Sequence, residues 1–154
     1  MFDFYNISSR ALTLFPAETG HRFALKALAN GLGPRGNANK PKGLNQTLWQ
    51  RTFLNPLAIS AGFDKNGTAI SGVLKLGVGF IEVGGVTPRP QKGNPKPRLF
   101  RLEKDEAAIN RLGFNNLGAD QLLSNIRQHN LIYTNSSPIG VNLAANSDST
   151  DPSN

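Results

Sequence analysis

The chain has no cysteine, one methionine and one tryptophan. Without thiols there is no disulfide framework, no thiolate nucleophile and no cysteine-ligated metal; no metal site is expected. This suits a reducing compartment. No apolar run approaches the roughly 18 residues of a membrane span. The opening Met1-Phe2-Asp3-Phe4 lacks the basic region of a secretory signal and the arginine-rich character of a mitochondrial transit peptide. Acidic residues are scarce, 10 against 17 Lys and Arg, which gives a formal net charge of +7. The excess is spread through Arg35, Lys40, Lys42, Lys92, Lys96, Arg98 and Arg101 rather than gathered in a run. Aromatics do not interleave with these cations in a stacking pattern, so no nucleic-acid partner is expected. At 154 residues there is material for one ordinary domain. A whole (β/α)8 barrel typically needs about 250 residues.

Phe4, Ile7, Ala11 and Phe15 recur at spacings of three, four and four, one face of a helix over residues 3–15. Pro16 stops that helix and is well placed to open another. Ala24, Leu25, Leu28 and Leu32 form a second apolar face over residues 17–32, with Gly31 and Gly33-Pro34 at its end. Residues 1–32 therefore read as an amphipathic helical pair. Residues 33–43, rich in Gly, Pro, Asn and Lys, read as a linker, and 44–154 as the remaining domain. Leu48-Trp49 and Thr52-Phe53 predict a short hairpin. Leu57 to Ala61 is a short apolar run without polar alternation, the signature of a strand buried on both faces, and Val78 to Val83 and Ile139 to Leu143 read as the next two strands. Helical spacing appears over Gly67 to Leu76 and again at Ala119, Leu122, Leu123 and Ile126, with a long loop before the latter. Strand, helix, strand, loop, helix, strand is the order of a parallel α/β fold, here the first strands of a partial TIM barrel preceded by a two-helix hairpin.

Two of these runs end in glycine-rich polar turns, where a barrel delivers functional groups to its mouth. Ala61-Gly62-Phe63-Asp64-Lys65 places small residues and a lone lysine after a strand. Such a turn lets backbone approach a flat ring, and its lysine can stabilise negative charge. The residues themselves equally suit an ordinary strand-to-helix turn. Gly84-Gly85-Val86-Thr87-Pro88 ends the next strand. In Asn110-Arg111-Leu112-Gly113-Phe114-Asn115 an asparagine amide can donate and accept at once, but the residues by themselves favour a turn held by Asn side chains.

Three segments, A-G-F-D-K at 61–65, T-P-R-P-Q-K-G-N-P-K-P-R-L-F-R at 87–101 and N-R-L-G-F-N-N at 110–116, resemble those of class 2, quinone-dependent dihydroorotate dehydrogenases. The resemblance runs from the first residues to about Asn146. It implies oxidation of dihydroorotate to orotate in pyrimidine synthesis, with bound flavin mononucleotide (FMN) and ubiquinone or another quinone as acceptor. It implies that Ala61, Gly62, Phe63, Asp64, Lys65, Gly85 and Asn142 contact the flavin. It also implies that Lys65, Asn110, Arg111, Leu112, Gly113 and Phe114 line the substrate pocket, and that His21 and Arg101 border the quinone tunnel. The helical pair would form a lipophilic mouth on the membrane, giving peripheral association on the cytoplasmic side. A bacterial inner membrane is expected before a mitochondrial one. The chain departs from the family at Gly85, where threonine is usual, and at Ala144-Ala145-Asn146, where G-K-N is common. The family's catalytic base, a serine on a later loop, is expected beyond Asn154, so no catalytic residue is assigned and the chain is expected to be a fragment lacking the other half of the barrel. The alternative is a non-catalytic remnant acting as a binding or assembly module.

Overall fold

The structure, a computed structural model, describes residues 11–36, 43–132 and 137–150. The helix expected over 3–15 and the linker expected over 33–43 fall partly outside these residues. Residues 11–13 are helical. After Pro16 comes α1 (Ala17–Ala29). Its end is a Schellman motif, with Gly31 at φ +74°, its N–H donated to Leu28 O at 2.9 Å and the Leu32 N–H to Ala27 O at 2.9 Å. The expected continuation to Leu32 is thus a cap, and Leu32 is exposed.

The predicted hairpin is present as β1 (Gln46–Leu48) and β2 (Arg51–Phe53), antiparallel and joined by Trp49-Gln50, both at positive φ. That two-residue turn matches strand twist despite lacking the usual glycine. Then follow β3 (Ala58–Ile59), α2 (Ile70–Leu74) and β4 (Phe80–Val86). The long loop contains an antiparallel pair, β5 (Leu99–Leu102) and β6 (Ala107–Asn110), joined by a 3-10 turn at Glu103–Asp105. Both strands are largely exposed, so no apolar alternation marks them in the sequence. Last come α3 (Ala119–Ile132) and β7 (Ile139–Leu143).

The central sheet is parallel, in the order β3-β4-β7. Ile81, Val83 and Val86 of β4 are buried, and the one charged residue of the strand, Glu82, is half-buried. The core joins them to Ile70 and Val73 of α2, Leu122 of α3 and Leu28 of α1. Gly72 makes the α1–α2 contact possible: a Cβ there would collide with the Leu28 carbonyl. Gly36 donates its N–H to Lys75 O at 2.8 Å, so the start of the 33–43 segment lies against the end of α2. All three parallel strands point their carboxyl ends toward the same side, where the site is built.

Candidate functional site

The turn after β3 is fixed by its own backbone. The Gly62 N–H donates to Gly84 O at 2.7 Å, at φ +99° that only glycine adopts readily. Asp64 is buried, and its carboxylate accepts from the N–H groups of Thr68 (2.9 Å) and Ala69 (2.7 Å) and from the Thr68 hydroxyl (3.2 Å). It thereby satisfies orphan donors ahead of α2. This is also why helix begins at Ile70 rather than Gly67. With Asp64 turned inward, Lys65 is left facing the cavity, its Nζ donating to Asn115 Oδ1 at 3.0 Å. Burial, and then the nearby Arg98 charge, push the Lys65 ammonium below its ordinary pKa, with Glu18 opposing.

The 110–116 segment is held by asparagines and glycines. Asn94 accepts nothing from it but donates twice, its N–H to Leu112 O at 3.1 Å and its side chain to Arg111 O at 2.7 Å. Gln91 donates to Gly113 O at 3.0 Å. Gly113 and Phe114 both have positive φ, +69° and +51°. The buried Asn116 holds that turn, donating to Phe114 O at 2.7 Å and accepting the Gly118 N–H at 2.8 Å. On β4 and β7, Gly84 is in register with Asn142, and the Asn142 side chain donates to Glu82 Oε1 at 3.2 Å. Glu82 Oε2 accepts the Ala61 N–H at 3.4 Å, which ties the β3 turn to β7.

These elements surround one cavity of about 950 Å3. Ala61 to Lys65, Gly85, Asn110 to Phe114 and Asn142 all line it, and so does His21 of α1. His21 packs edge-on to Phe63 at 5.2 Å, and its burial lowers the imidazole pKa, opposed by a backbone hydrogen bond at Phe63. Two members use their polar groups elsewhere: the Asp64 carboxylate caps the α2 turn, and the Arg111 guanidinium donates to Pro97 O at 3.2 Å. Arg101 stands apart from the cavity. Its guanidinium donates to the carbonyls of Phe15 (2.7 Å), Leu12 and Thr13 (both 3.3 Å), anchoring the turn ahead of α1 on β5.

Sequence reasoning did not single out Glu18, Asn94 or Arg98. Glu18 lines the cavity and forms a two-pronged ion pair with Arg98, Oε1 to Nη2 at 2.7 Å and Oε2 to Nε at 3.1 Å. They are 80 positions apart, so no local spacing brings them together. Asn94 has a readable signal, as a polar turn residue in K-G-N-P. Among the described residues no group of three His, Cys, Asp or Glu is gathered for a metal, and no helix is long and apolar enough to cross a membrane.

Comparison with known proteins identifies the family. The profile of the family described as dihydroorotate dehydrogenase matches residues 43–152. A dihydroorotate dehydrogenase (quinone) of Rhizobium etli is 46% identical over 148 residues, 96% of this chain and 40% of the relative. The mitochondrial dihydroorotate dehydrogenase (quinone) of Mus musculus is 43% identical over 142 residues, 90% of this chain and 36% of the relative. Among solved structures, a DHODH of Eimeria tenella in complex with ferulenol superposes with a TM-score of 0.81 at 37% identity, covering 87% of this chain and 37% of that one. The chain thus spans about 40% of the length of the curated relatives it matches. On the match over residues 43–152 and a shared fold, the chain belongs to the dihydroorotate dehydrogenase family.

Proposed function

We propose that residues 1–154 supply the flavin-ring face, the substrate loop and the quinone entry of an enzyme that oxidises dihydroorotate to orotate and passes the electrons to a quinone. The observation that carries this reading is the single cavity into which Lys65, Asn110, Gly113, Gly85 and Asn142 converge. Its volume, about 950 Å3, is at the upper end of the roughly 300–1,000 Å3 usual for cofactor and small-molecule sites.

The residues fit FMN. The Cβ position of Gly62 has nothing within 4 Å, which leaves open backbone for a planar ring. At Gly85 a Cβ would stand 3.1 Å from both Asn142 Oδ1 and the Phe114 ring, so glycine there keeps the cavity floor clear. Bound FMN supplies hydride uptake from C6 of dihydroorotate and onward transfer of electrons to ubiquinone or another quinone. Lys65 is held by Asn115 and partly desolvated, so its ammonium acts at high effective strength on negative charge developing in the cavity. Asn110 and Asn142 orient the ligand edge by donating and accepting. Gly113, at φ +69°, turns backbone toward the same space. The proton acceptor at C5 is assigned to a residue outside this chain.

Residues 1–32 act as the entry segment, 33–43 as a connector and 44–154 as the first part of a barrel. Leu14, Phe15 and Phe23 are exposed, and the two phenylalanines stack edge-on at 5.2 Å. Such an apolar rim suits peripheral contact with the cytoplasmic face of a bacterial inner membrane. His21 lies in the cavity wall on that side, and Arg101 secures the rim. A second reading, a non-catalytic assembly module, draws on the exposed Val141 and Leu143 of β7. The deciding experiment joins residues 1–154 to the remaining part of the Rhizobium etli relative and assays dihydroorotate-dependent quinone reduction. We expect turnover that falls at least 100-fold in Lys65→Ala, the scale of losing one preorganised electrostatic group. Undiminished rates in that variant would remove Lys65 from the mechanism, and an inactive but folded, flavin-loaded chimera would favour the module.

A further inference from the structure

Arg98 is buried yet uses four of its donors on two separate parts of the molecule. Nε and Nη2 grip both oxygens of Glu18, on the first turn of α1. Nη1 holds Lys92 O at 2.7 Å and Asn94 O at 2.9 Å. The Arg98 carbonyl accepts the Arg111 N–H at 2.9 Å. From Asn94 the bonding continues to Leu112 O and Arg111 O, and from Asn115 to Lys65 Nζ. Gly93 lets the strap lie flat: at φ +70° its Cβ would collide with Leu112 O and approach Asn115 Cβ at 2.9 Å. An unbroken set of bonds therefore runs from the entry helix to the substrate loop. A guanidinium suits this task because its fork is planar and pre-organised, and Lys in its place cannot grip a carboxylate two-pronged.

We propose that Glu18 and Arg98 are positioning residues that lock α1 to the 110–115 segment, so that the quinone-side helix sets the geometry of the dihydroorotate loop. The inference rests on the function proposed above and assigns α1, whose Glu18 and His21 line the same cavity, a part in the substrate half of the reaction. Lys96 adds a third contact to Glu18 at 3.4 Å, but it is exposed and contributes little. A pair this enclosed matters mainly when broken, since removing one partner leaves the other charge buried alone.

Two measurements test it. Hydrogen exchange on residues 1–154 compares wild type, Glu18→Gln and Glu18→Asp. The inference requires Glu18→Gln to speed exchange at the Asn94 and Arg111 amides about tenfold, equal to about 1.4 kcal/mol of lost protection. Glu18→Asp, which keeps the charge, should recover part of it. Faster exchange confined to α1 would overturn the coupling, because Glu18 would then serve its own helix alone. The second measurement uses the flavin-loaded chimera and a dye acceptor that bypasses the quinone. Glu18→Gln should raise the KM for dihydroorotate about tenfold while kcat changes less than about twofold, as expected for lost ground-state positioning. An unchanged KM in an otherwise active chimera overturns the inference. If the wild-type chimera shows no dihydroorotate oxidation, the proposed function fails, and hydrogen exchange still decides whether the helix and loop are coupled.

Discussion

Gly72→Ala is a substitution whose sign separates two physical accounts. Gly72 sits within α2, where helix propensity alone makes alanine better by about 1 kcal/mol. The structure opposes this. A Cβ at Gly72 would collide with the Leu28 carbonyl oxygen and crowd the Leu28 Cα at 3.1 Å. That carbonyl cannot swing aside, because it accepts the Gly31 N–H at 2.9 Å in the Schellman motif closing α1. Relief therefore requires α1 to shift as a body, which withdraws Leu28 from the core it shares with Val73 and Ile70. Overpacking of this kind costs about 1–3 kcal/mol, and partial exposure of a buried leucine forfeits part of a further 1.5–3 kcal/mol. Net of the propensity gain, Gly72→Ala should destabilise the chain by about 1–3 kcal/mol. With a urea m-value of about 1–3 kcal/mol/M, the unfolding midpoint should fall by about 1 M. Leu28→Ala added to Gly72→Ala should then cost less than it does alone, because neighbouring effects do not add. A midpoint that rises in Gly72→Ala would refute the close docking of α1 on α2.

Three further outcomes are expected. Asn116→Leu keeps the volume but leaves the Gly118 N–H, the Thr87 N–H and the Phe114 carbonyl without their partner, so it should cost about 2–4 kcal/mol and loosen the 113–116 turn, read by urea unfolding and amide exchange. The Glu18 carboxyl is held below its ordinary 4.5, chiefly by its hydrogen bond with Arg98, so its stabilisation is complete above pH 4.5 and is lost as the pH falls through the lower folded value; Glu18→Gln should flatten the loss of stability below pH 4.5, and an unchanged acid slope would contradict the pairing. Residues 1–154 alone should bind FMN weakly, because among the described residues no strand pairs with the outer edge of β7 and the cofactor is gripped from one side; tight stoichiometric quenching of flavin fluorescence would show that this half suffices.

What could be read from the chain follows burial. The β4 run is legible because it is the central strand of the parallel sheet and mostly buried, whereas β7, at the sheet's edge, is apolar yet largely exposed. The α3 periodicity is legible as a helix, but its inner face is not. Leu122 is buried and Leu123 exposed, while His129 completes the buried side. An apolar count at i, i+3, i+4 and i+7 assigns Leu123 inward and passes over a histidine. The β5–β6 pair is invisible for the opposite reason: its residues are largely exposed, so hydrogen bonding more than burial makes it a hairpin. The turns at 61–65 and 110–114 are legible as glycine-bearing turns, but resemblance to the family's motifs is what places their residues at a ligand, since glycine and asparagine alone equally suit ordinary turns.

The remaining parts of the site depend on which polar group each carboxylate and amide chooses, and spacing does not decide that. Asp64 and Lys65 are adjacent and both polar, yet one is turned into the fold and the other to the cavity. The choice is made by Thr68 and Ala69, whose N–H groups have no helical acceptor and take the carboxylate instead. The same competition explains the adjacent asparagines. Asn116 is buried against Thr87 and Gly118, where it must satisfy several backbone groups, and Asn115 is thereby left to hold Lys65. At each pair the backbone's unsatisfied donors take one side chain, and the neighbour is left for chemistry. Adjacent polar residues in a glycine-rich turn are therefore divided by the fold, and the division requires knowing which amides the fold leaves unpaired.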